Sequence, residues 1–151
     1  MKILQKNKKI FFDYEVLEEF EAGIVLKGDE VKSIRKGAFS IKEAYCKIDK
    51  EKIEIFVHDM TIDKNPFGTH TNIDPKRKRK LLMHKNEIKR LLRKVEEKGL
   101  TLKPIEVYLN ERNLVKIKVA LCKGKKLYDK KESIKRKDYE REISRDLKKY
   151  R

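Results

Sequence analysis

The chain of 151 residues and 18.1 kDa is long enough for one compact domain with a single core. Its 41 Lys and Arg residues against 25 Asp and Glu residues give a net charge of +16. A balance this basic predicts a polyanionic partner, because each neutralised phosphate releases condensed counterions. No apolar run reaches the length needed to span a membrane, and the first residues lack the features of a signal peptide. We therefore expect a cytoplasmic nucleic-acid-binding protein with no membrane partner.

The first third of the chain is predicted to contain a strand and a short helix. Residues 1–9 read as a loose basic arm. In residues 20–26 a period of two, as expected for a strand, places on one face Phe20, Ala22, Ile24 and Leu26. A helix over residues 30–36 follows, with Asp29 as its N-cap and Gly37 as the residue that ends it.

The middle of the chain alternates between strands and turns. Strands are predicted over residues 40–48 and 53–57, separated by a charged turn. Residues 61–75 contain Pro and Gly turn signals and form a connection long enough to indicate function or mobility. A strand over residues 77–83 begins basic and ends apolar.

A helix and a hairpin complete the predicted fold. The helix covers residues 86–98, with Asn86 as its N-cap and Gly99 as its C-cap. Its apolar stripe consists of Ile88, Leu91, Leu92 and Val95. Residues 105–109 and 115–121 alternate apolar and polar side chains on either side of a turn, which predicts an antiparallel pair.

Residues 123–151 differ in composition from the rest of the chain. They contain 13 Lys and Arg residues against 6 Asp and Glu residues, and their few apolar side chains cannot form a core. We expect this tail to be disordered in isolation. A few apolar side chains in the tail are spaced as on one face of a helix: Tyr139, Ile143, Leu147 and Tyr150. We expect this helix to form only when that face packs against a partner surface.

Five to seven short strands and two helices predict a mainly β protein, a β-barrel with small helices. A barrel of the OB type fits this pattern, although composition and periodicity alone do not select it. We expect a monomer in which residues 1–122 form an RNA-binding barrel and residues 123–151 form the basic C-terminal tail.

The most prominent candidate contact with nucleic acid is the run of five cations at residues 76–80. Arg forks onto phosphate oxygens, whereas the structural alternative is a solvated edge that blocks strand addition. A second basic motif at residues 123–126 includes Gly124, which would allow a phosphate backbone to approach closely. Tyr128 and Tyr139 lie among cations and can either stack on unpaired bases or pack within a helix.

No metal, cofactor or catalytic motif is predicted. The His and Cys residues are separated by twelve positions or more, which does not match a zinc site. The sequence contains no P-loop, nucleophile elbow or dinucleotide loop, so we do not expect an enzyme. Cys46 and Cys122 are predicted to be two buried thiols. His84, beside the basic run, is a candidate for contact with RNA.

Three separate blocks of the sequence resemble the SmpB family of SsrA-binding proteins. They are FEAGIVL followed by Gly28 and EVKS (20–33), DP followed by RKLL and HK (74–85), and GKK followed by DK (124–130). The similarity extends in order from about Asn7 to Arg145.

The resemblance implies an OB-fold barrel with small helices and a C-terminal tail that is unstructured in solution. It also implies binding to the tRNA-like domain of tmRNA (SsrA RNA), support of its alanylation, and delivery with EF-Tu·GTP to stalled 70S ribosomes. In this trans-translation, a form of ribosome rescue, the tail occupies the decoding centre and becomes helical in the empty mRNA channel.

The resemblance and the basic run together define two sets of candidate residues. The predicted face for the tRNA-like domain comprises Asn7, Glu21, Lys76, Arg77, Arg79, Lys80, Leu82, His84 and Lys85. The predicted contacts with the decoding centre and mRNA channel are Gly124, Lys125, Lys126, Tyr128, Asp129, Lys130, Lys131 and Tyr139.

The tail departs from the family pattern at three positions. Tyr128 stands where the family commonly has His, Lys131 where it has Arg, and Tyr139 where some members have Trp. Each change keeps an aromatic ring or a cation, although Lys cannot fork onto phosphate as Arg does. Two alternatives stay open at this stage: a ribosomal or general single-strand RNA-binding OB protein, and an RNA-processing enzyme.

Overall fold

The structure is a computed structural model that describes residues 1–64 and 73–124. Nine strands and three helices lie within these ranges. The strands are β1 (Lys2–Lys6), β2 (Tyr14–Ile24), β3 (Phe39–Ser40), β4 (Tyr45–Asp49), β5 (Glu54–His58), β6 (Thr61–Ile62), β7 (Arg79–Leu82), β8 (Thr101–Leu109) and β9 (Val115–Gly124). The helices are α1 (Lys9–Asp13), α2 (Gly28–Arg35) and α3 (Lys85–Lys98).

Six of the strands close into a barrel. Their order is β8-β4-β5-β7-β2-β9, and β9 pairs back with β8 to complete the ring. Every pairing in the described part of the chain is antiparallel. Closure removes exposed strand edges, which would otherwise pair with other chains. The prediction of a mainly β barrel with small helices is therefore confirmed.

The barrel interior is filled by the apolar members of the alternating strands. Side chains with no exposed surface include Ile55, Val57, Val107, Ile117 and Val119. Ile34 from α2 and Ile88 and Leu91 from α3 extend this core. On the other side of the sheet, Ile10 of α1 packs against a small cluster of Ile105, Ala120 and Cys122.

The N-terminal segment is a strand, so the prediction of a loose arm was wrong. β1 pairs with β8 on the outside of the ring. Within β1, the side chain of Gln5 donates to the Phe39 carbonyl at 3.0 Å and accepts from the Ile41 N–H at 2.6 Å. The basic composition of this segment concealed a strand whose partner lies far along the chain.

Two helix N-termini differ from the predictions. In α2 the N-cap is Lys27 and not Asp29, and the Glu30 carboxylate accepts the Lys27 N–H at 2.9 Å. In α3 the N-cap is His84, so Asn86 lies within the first turn. The predicted helix ends are confirmed: Gly37 and Gly99 adopt φ values of 77° and 62°, which an L side chain rarely tolerates.

The predicted strand over residues 40–48 is interrupted by a turn. Its first part belongs to β3, which pairs with β6, and its second part is β4. The Ala44 N–H donates to the Ile41 carbonyl at 3.1 Å and closes the turn between them. At the other end of the chain, β9 continues to Gly124, two residues past the predicted end of the barrel.

Candidate nucleic-acid interface

A groove of about 500 Å³ lies where β2, β7 and the beginning of α3 meet. Five of the predicted RNA-binding residues line it: Glu21, Lys80, Leu82, His84 and Lys85. The other charged side chains at its walls are Glu54, Glu87 and Lys116. The groove therefore presents both cations and carboxylates around an apolar centre, a mixture suited to the phosphates, sugars and bases of a folded RNA.

Leu82 is an exposed apolar side chain in the lining of the groove. Its side chain is 54% exposed, although it lies in a strand whose neighbour Leu81 is buried. Gly23 stands opposite Leu82 in the pairing of β2 with β7. A Cβ atom added at Gly23 would lie 3.3 Å from Leu82 Cβ and 3.7 Å from Lys116 Nζ. Glycine at this position thus leaves room for the leucine to project outward.

The Glu21 carboxylate is held in place by a buried tyrosine. The Tyr108 hydroxyl donates a hydrogen bond to Glu21, and the tyrosine is 3% exposed while the glutamate is exposed. Burial, with the Glu21 carboxylate beside the hydroxyl, raises the pKa of Tyr108, so it stays a donor at neutral pH. A fixed carboxylate can accept hydrogen bonds from base amino groups and ribose hydroxyls.

His84 and Lys85 lie at the N-terminus of α3. The exposed His84 takes an extended conformation as the N-cap, and the 14-residue helix begins at Lys85. The first N–H groups of a helix have no partner within it and attract anions, as does its positive dipole end. Together with the Lys85 ammonium group, this end of the groove has the chemistry of a phosphate contact.

The run of five cations at residues 76–80 divides between two sides of the chain. Arg77 and Arg79 turn inward and share the carboxylate of Glu30. The three lysines of the run are exposed: Lys76, Lys78 and Lys80. Lys80 Nζ lies 3.4 Å from Glu54 Oε1 and forms an ion pair with it. Both arginines of the predicted set are thus paired with a carboxylate of the protein; the side chain of Arg77 stays 26% exposed, whereas that of Arg79 has no exposed surface.

Arg79 is fully buried and supports the fold from within. Its Nε donates to Glu30 at 2.6 Å, and its other nitrogens donate to the Met60 carbonyl at 2.7 Å and the Pro75 carbonyl at 3.0 Å. Desolvation, the largest influence, would raise the pKa of Glu30. Hydrogen bonds from Arg77, the Lys27 N–H and Arg79 outweigh it and hold that pKa below its ordinary value. A side chain with no exposed surface cannot reach an RNA, so Arg79 is not a contact residue.

Asn7 lies in a different recess from the other predicted residues. Its side chain is buried and donates to the Ile41 and Lys42 carbonyls at 3.5 and 3.4 Å. The recess has a volume of about 310 Å³ and also contains Gly124, which was predicted to belong to the decoding-centre contacts.

Seven other predicted contacts lie outside the described residues: Lys125, Lys126, Tyr128, Asp129, Lys130, Lys131 and Tyr139.

Sequence reasoning missed one residue of the groove wall and one residue that supports it. Lys116 of β9 lines the groove opposite Gly23 of β2, and the buried Tyr108 of β8 lies opposite Lys116 and donates to Glu21. Strand alternation could have identified both as outward-facing. Their proximity to Glu21 and Leu82 depends on a register that is not visible in the sequence.

The described part of the chain offers little to a metal ion. It contains no cluster of three or more His, Cys, Asp or Glu side chains that could hold one. Cys46 and Cys122 are buried and unbridged, as predicted. Burial raises the pKa of the Cys46 thiol and raises that of Cys122 to about 11. Among the helices described, none is long and apolar enough to cross a membrane.

Comparison with known proteins identifies the family. The model of the SmpB protein family matches residues 4–149. The SsrA-binding protein of Thermosipho melanesiensis is 48% identical over 148 residues, covering 98% of this chain and 99% of that protein. The SsrA-binding protein of Cytophaga hutchinsonii is 53% identical over 140 residues, covering 93% and 90%.

The fold points to the same relatives. A chain from a solved structure described as "tmRNA-SmpB: a journey to the center of the bacterial ribosome" superimposes with a TM-score of 0.69. It is 42% identical, and the match covers 89% of this chain and 95% of that one. On the family model, the full-length relatives and the shared barrel, the chain belongs to the SmpB protein family.

Proposed function

We propose that this chain binds the tRNA-like domain of tmRNA (SsrA RNA), favours its alanylation and delivers it with EF-Tu·GTP to stalled ribosomes. In this proposal the protein is a cytoplasmic monomer without catalytic activity. The barrel of residues 1–122 carries the RNA-binding face. The tail of residues 123–151 occupies the decoding centre and the empty mRNA channel.

The observation that carries the proposal is the exposed Leu82 in one groove with the Glu21 carboxylate and the Lys85 and Lys116 ammonium groups. A nucleotide in a folded loop can place its base or ribose on the leucine. It can donate hydrogen bonds to Glu21 and direct its phosphate toward the lysines and the N-terminus of α3. Generic single-strand binding needs no such fixed carboxylate, so the groove favours a folded RNA.

The tail is proposed to act after RNA delivery. Its cations match the phosphates of ribosomal RNA, and its stripe of four apolar side chains is too thin to offset chain entropy without a partner. Coupling helix formation to entry into the channel would make the tail a substitute for the missing codon–anticodon pair.

The decisive test compares two leucines with the same exposure. Leu82 and Leu114 are both 54% exposed, but only Leu82 lines the groove. We expect Leu82→Asp to lower affinity for the isolated tRNA-like domain by more than about tenfold, which corresponds to roughly 1.4 kcal/mol. Leu114→Asp should leave the affinity unchanged. Equal effects of the two substitutions would remove the groove from the binding site.

A charge-reversal pair extends the test to the phosphate contacts. Lys85→Glu should weaken binding and reduce its dependence on salt, because one fewer counterion is released. Lys36→Glu makes the same change in net charge on an exposed side chain that lies outside the groove. An identical response of both variants would indicate that only net charge attracts the RNA.

Two other functions give different outcomes in the same assays. A general single-strand RNA-binding protein would bind generic RNA as tightly as the tRNA-like domain when the two compete. An RNA-processing enzyme would cleave RNA during prolonged incubation with Mg²⁺. We expect the tRNA-like domain to win the competition and the RNA to stay intact.

A further inference from the structure

The outer face of β4, β5 and β7, with the residue that precedes β7, combines three aromatic rings with three lysines. It comprises Tyr45, Lys47, Phe56, His58, Lys78 and Lys80, and we call it the aromatic face. The alternate residues of the same strands, such as Cys46, Ile55, Val57 and Leu81, are buried in the barrel. The rings therefore lie outside the core, where each is half-buried and each lysine is exposed.

The rings and the lysines contact one another across the strands. Tyr45 and His58 are paired in register and stacked, with ring centroids 5.2 Å apart and planes 9° from parallel. Lys78 Nζ lies 4.8 Å from the centre of the Phe56 ring, and Lys47 Nζ lies 5.6 Å from that of Tyr45. Flat rings flanked by exposed cations form the stacking platform that unpaired bases use.

His58 behaves as a neutral ring on this face. Burial lowers its pKa, and the nearby Lys47 and Lys78 lower it further against the opposing charge of Asp59. At neutral pH the imidazole therefore adds little positive charge and is available for stacking. Glu54 is paired with Lys80 at the border with the groove, and Asp49 accepts backbone N–H groups of its own turn.

Protection of a strand edge does not explain these lysines. Cations on exposed edges discourage pairing with other chains, but β4, β5 and β7 are each hydrogen-bonded on both sides. Lys78 and Lys80 are also the outward half of the basic run, whose arginines are engaged with Glu30. Within the described part of the chain Lys78 forms no ion pair and is available for another anion, whereas Lys80 would exchange the Glu54 carboxylate for it.

We propose that the aromatic face binds unpaired RNA, with bases stacked on Tyr45, His58 and Phe56 and phosphates contacted by Lys47, Lys78 and Lys80. Strand faces of OB-type barrels bind oligonucleotides in this manner. The inference goes beyond the proposed function, because it concerns single-stranded nucleotides and a surface next to the groove. It does not require that the bound RNA be tmRNA.

The test uses the full chain and a labelled oligouridine of about 12 nucleotides, within the roughly 4–16 nucleotides that one barrel covers. The double variant Tyr45→Thr/His58→Thr and the single variant Phe56→Thr keep strand-forming residues at these positions. We expect each to weaken oligouridine binding by about tenfold or more at physiological salt. Binding of the tRNA-like domain should stay within about twofold of the parent chain.

Leu82→Thr is the matched control in the groove. It should leave oligouridine binding unchanged and weaken binding of the tRNA-like domain. If the parent chain binds oligouridine through the rings but fails to bind the tRNA-like domain, the proposed function fails and this inference stands. If the ring variants bind oligouridine as the parent does, the inference is wrong whatever the tRNA-like domain does.

Photocrosslinking of the parent chain covers the case in which a variant fails to fold. Oligouridine carrying 4-thiouridine should crosslink to β4 and β5, with adducts at Tyr45, Phe56 or His58. Crosslinks confined to the groove or to residues 125–151 would overturn the inference.

Discussion

Replacing Arg79 by methionine removes the buried cation that links β7 to Glu30 of α2. The substitution leaves the Glu30 carboxylate, 3% exposed, with Arg77 as its remaining side-chain partner. It also removes the donor to the Met60 carbonyl, whereas the Pro75 carbonyl keeps the Ile62 N–H as a partner. Breaking a buried ion pair costs roughly 3–5 kcal/mol, and an unsatisfied buried acceptor roughly 1–3 kcal/mol. Since these losses overlap, we expect unfolding to become easier by about 4 kcal/mol, which lowers Tm by about 8–16 °C in a chain of this size.

The loss of stability caused by Arg79→Met should depend on pH, because the Glu30 carboxylate of the ion pair can be protonated. Its pKa in the folded state lies below the ordinary value of 4.5. The ion pair therefore stabilises the fold above that ordinary value, and this stabilisation is lost as the pH falls through the folded-state pKa. In acid the parent chain loses the pair as well, so the difference between parent and variant should shrink. The part due to the Met60 carbonyl should remain.

Urea unfolding followed by circular dichroism, at neutral pH and below pH 4.5, measures both effects. Arg77→Met is the control, because the side chain of Arg77 is 26% exposed whereas that of Arg79 is buried. Water can replace part of what Arg77 provides, so its loss should cost about 1–2 kcal/mol. An equal loss of unfolding free energy for the two substitutions would contradict the role assigned to the buried Arg79. A loss for Arg79→Met that does not change with pH would contradict the contribution of its ion pair with Glu30.

Three other perturbations test separate features. Gly23→Ala places a Cβ 3.3 Å from Leu82 Cβ. It should weaken binding of the tRNA-like domain several-fold and lower the free energy of unfolding in urea by about 1 kcal/mol. An unchanged affinity would show that the space beside Leu82 is not needed for binding. Tyr108→Phe removes the donor to Glu21 and should cost no more than about 1.5 kcal/mol, with a clear loss of affinity for the same RNA; a loss of stability alone would make the tyrosine purely structural. Truncation after Gly124 should leave Tm and binding of the tRNA-like domain unchanged but abolish tagging on stalled ribosomes, and continued tagging would refute the role proposed for the tail.

Local periodicity was sufficient to predict the elements whose pattern is self-contained. The strand around Ile55 and Val57, the long helix ending at Gly99 and the final hairpin are all found where apolar spacing indicated them. The N-terminal strand was missed because its few apolar residues are interspersed with lysines, and its stability comes from β8 and from the Gln5 side chain. Those contacts depend on tertiary structure and leave no local pattern.

The candidate site was predictable to a similar degree. Motif position identified Glu21, Leu82 and Lys85, and the fold brings them into one groove. The burial of Arg79 could have been suspected from strand alternation, but its carboxylate partner on α2 could not. A run of consecutive basic residues in a strand therefore does not show how many of them contact RNA, because alternate side chains point to opposite faces of the sheet.

The closed ring has a kinetic consequence. β2 pairs along its length with β9, so that Tyr14 is opposite Gly124, and β1 pairs with β8. These contacts join the two ends of the described chain, which gives the fold a high contact order, and such topologies fold on the slow scale of roughly milliseconds to seconds. While it is being synthesised, the chain cannot close its barrel until the last strand has been made. The unpaired edges of β2 and β8 are then the surfaces most exposed to aggregation.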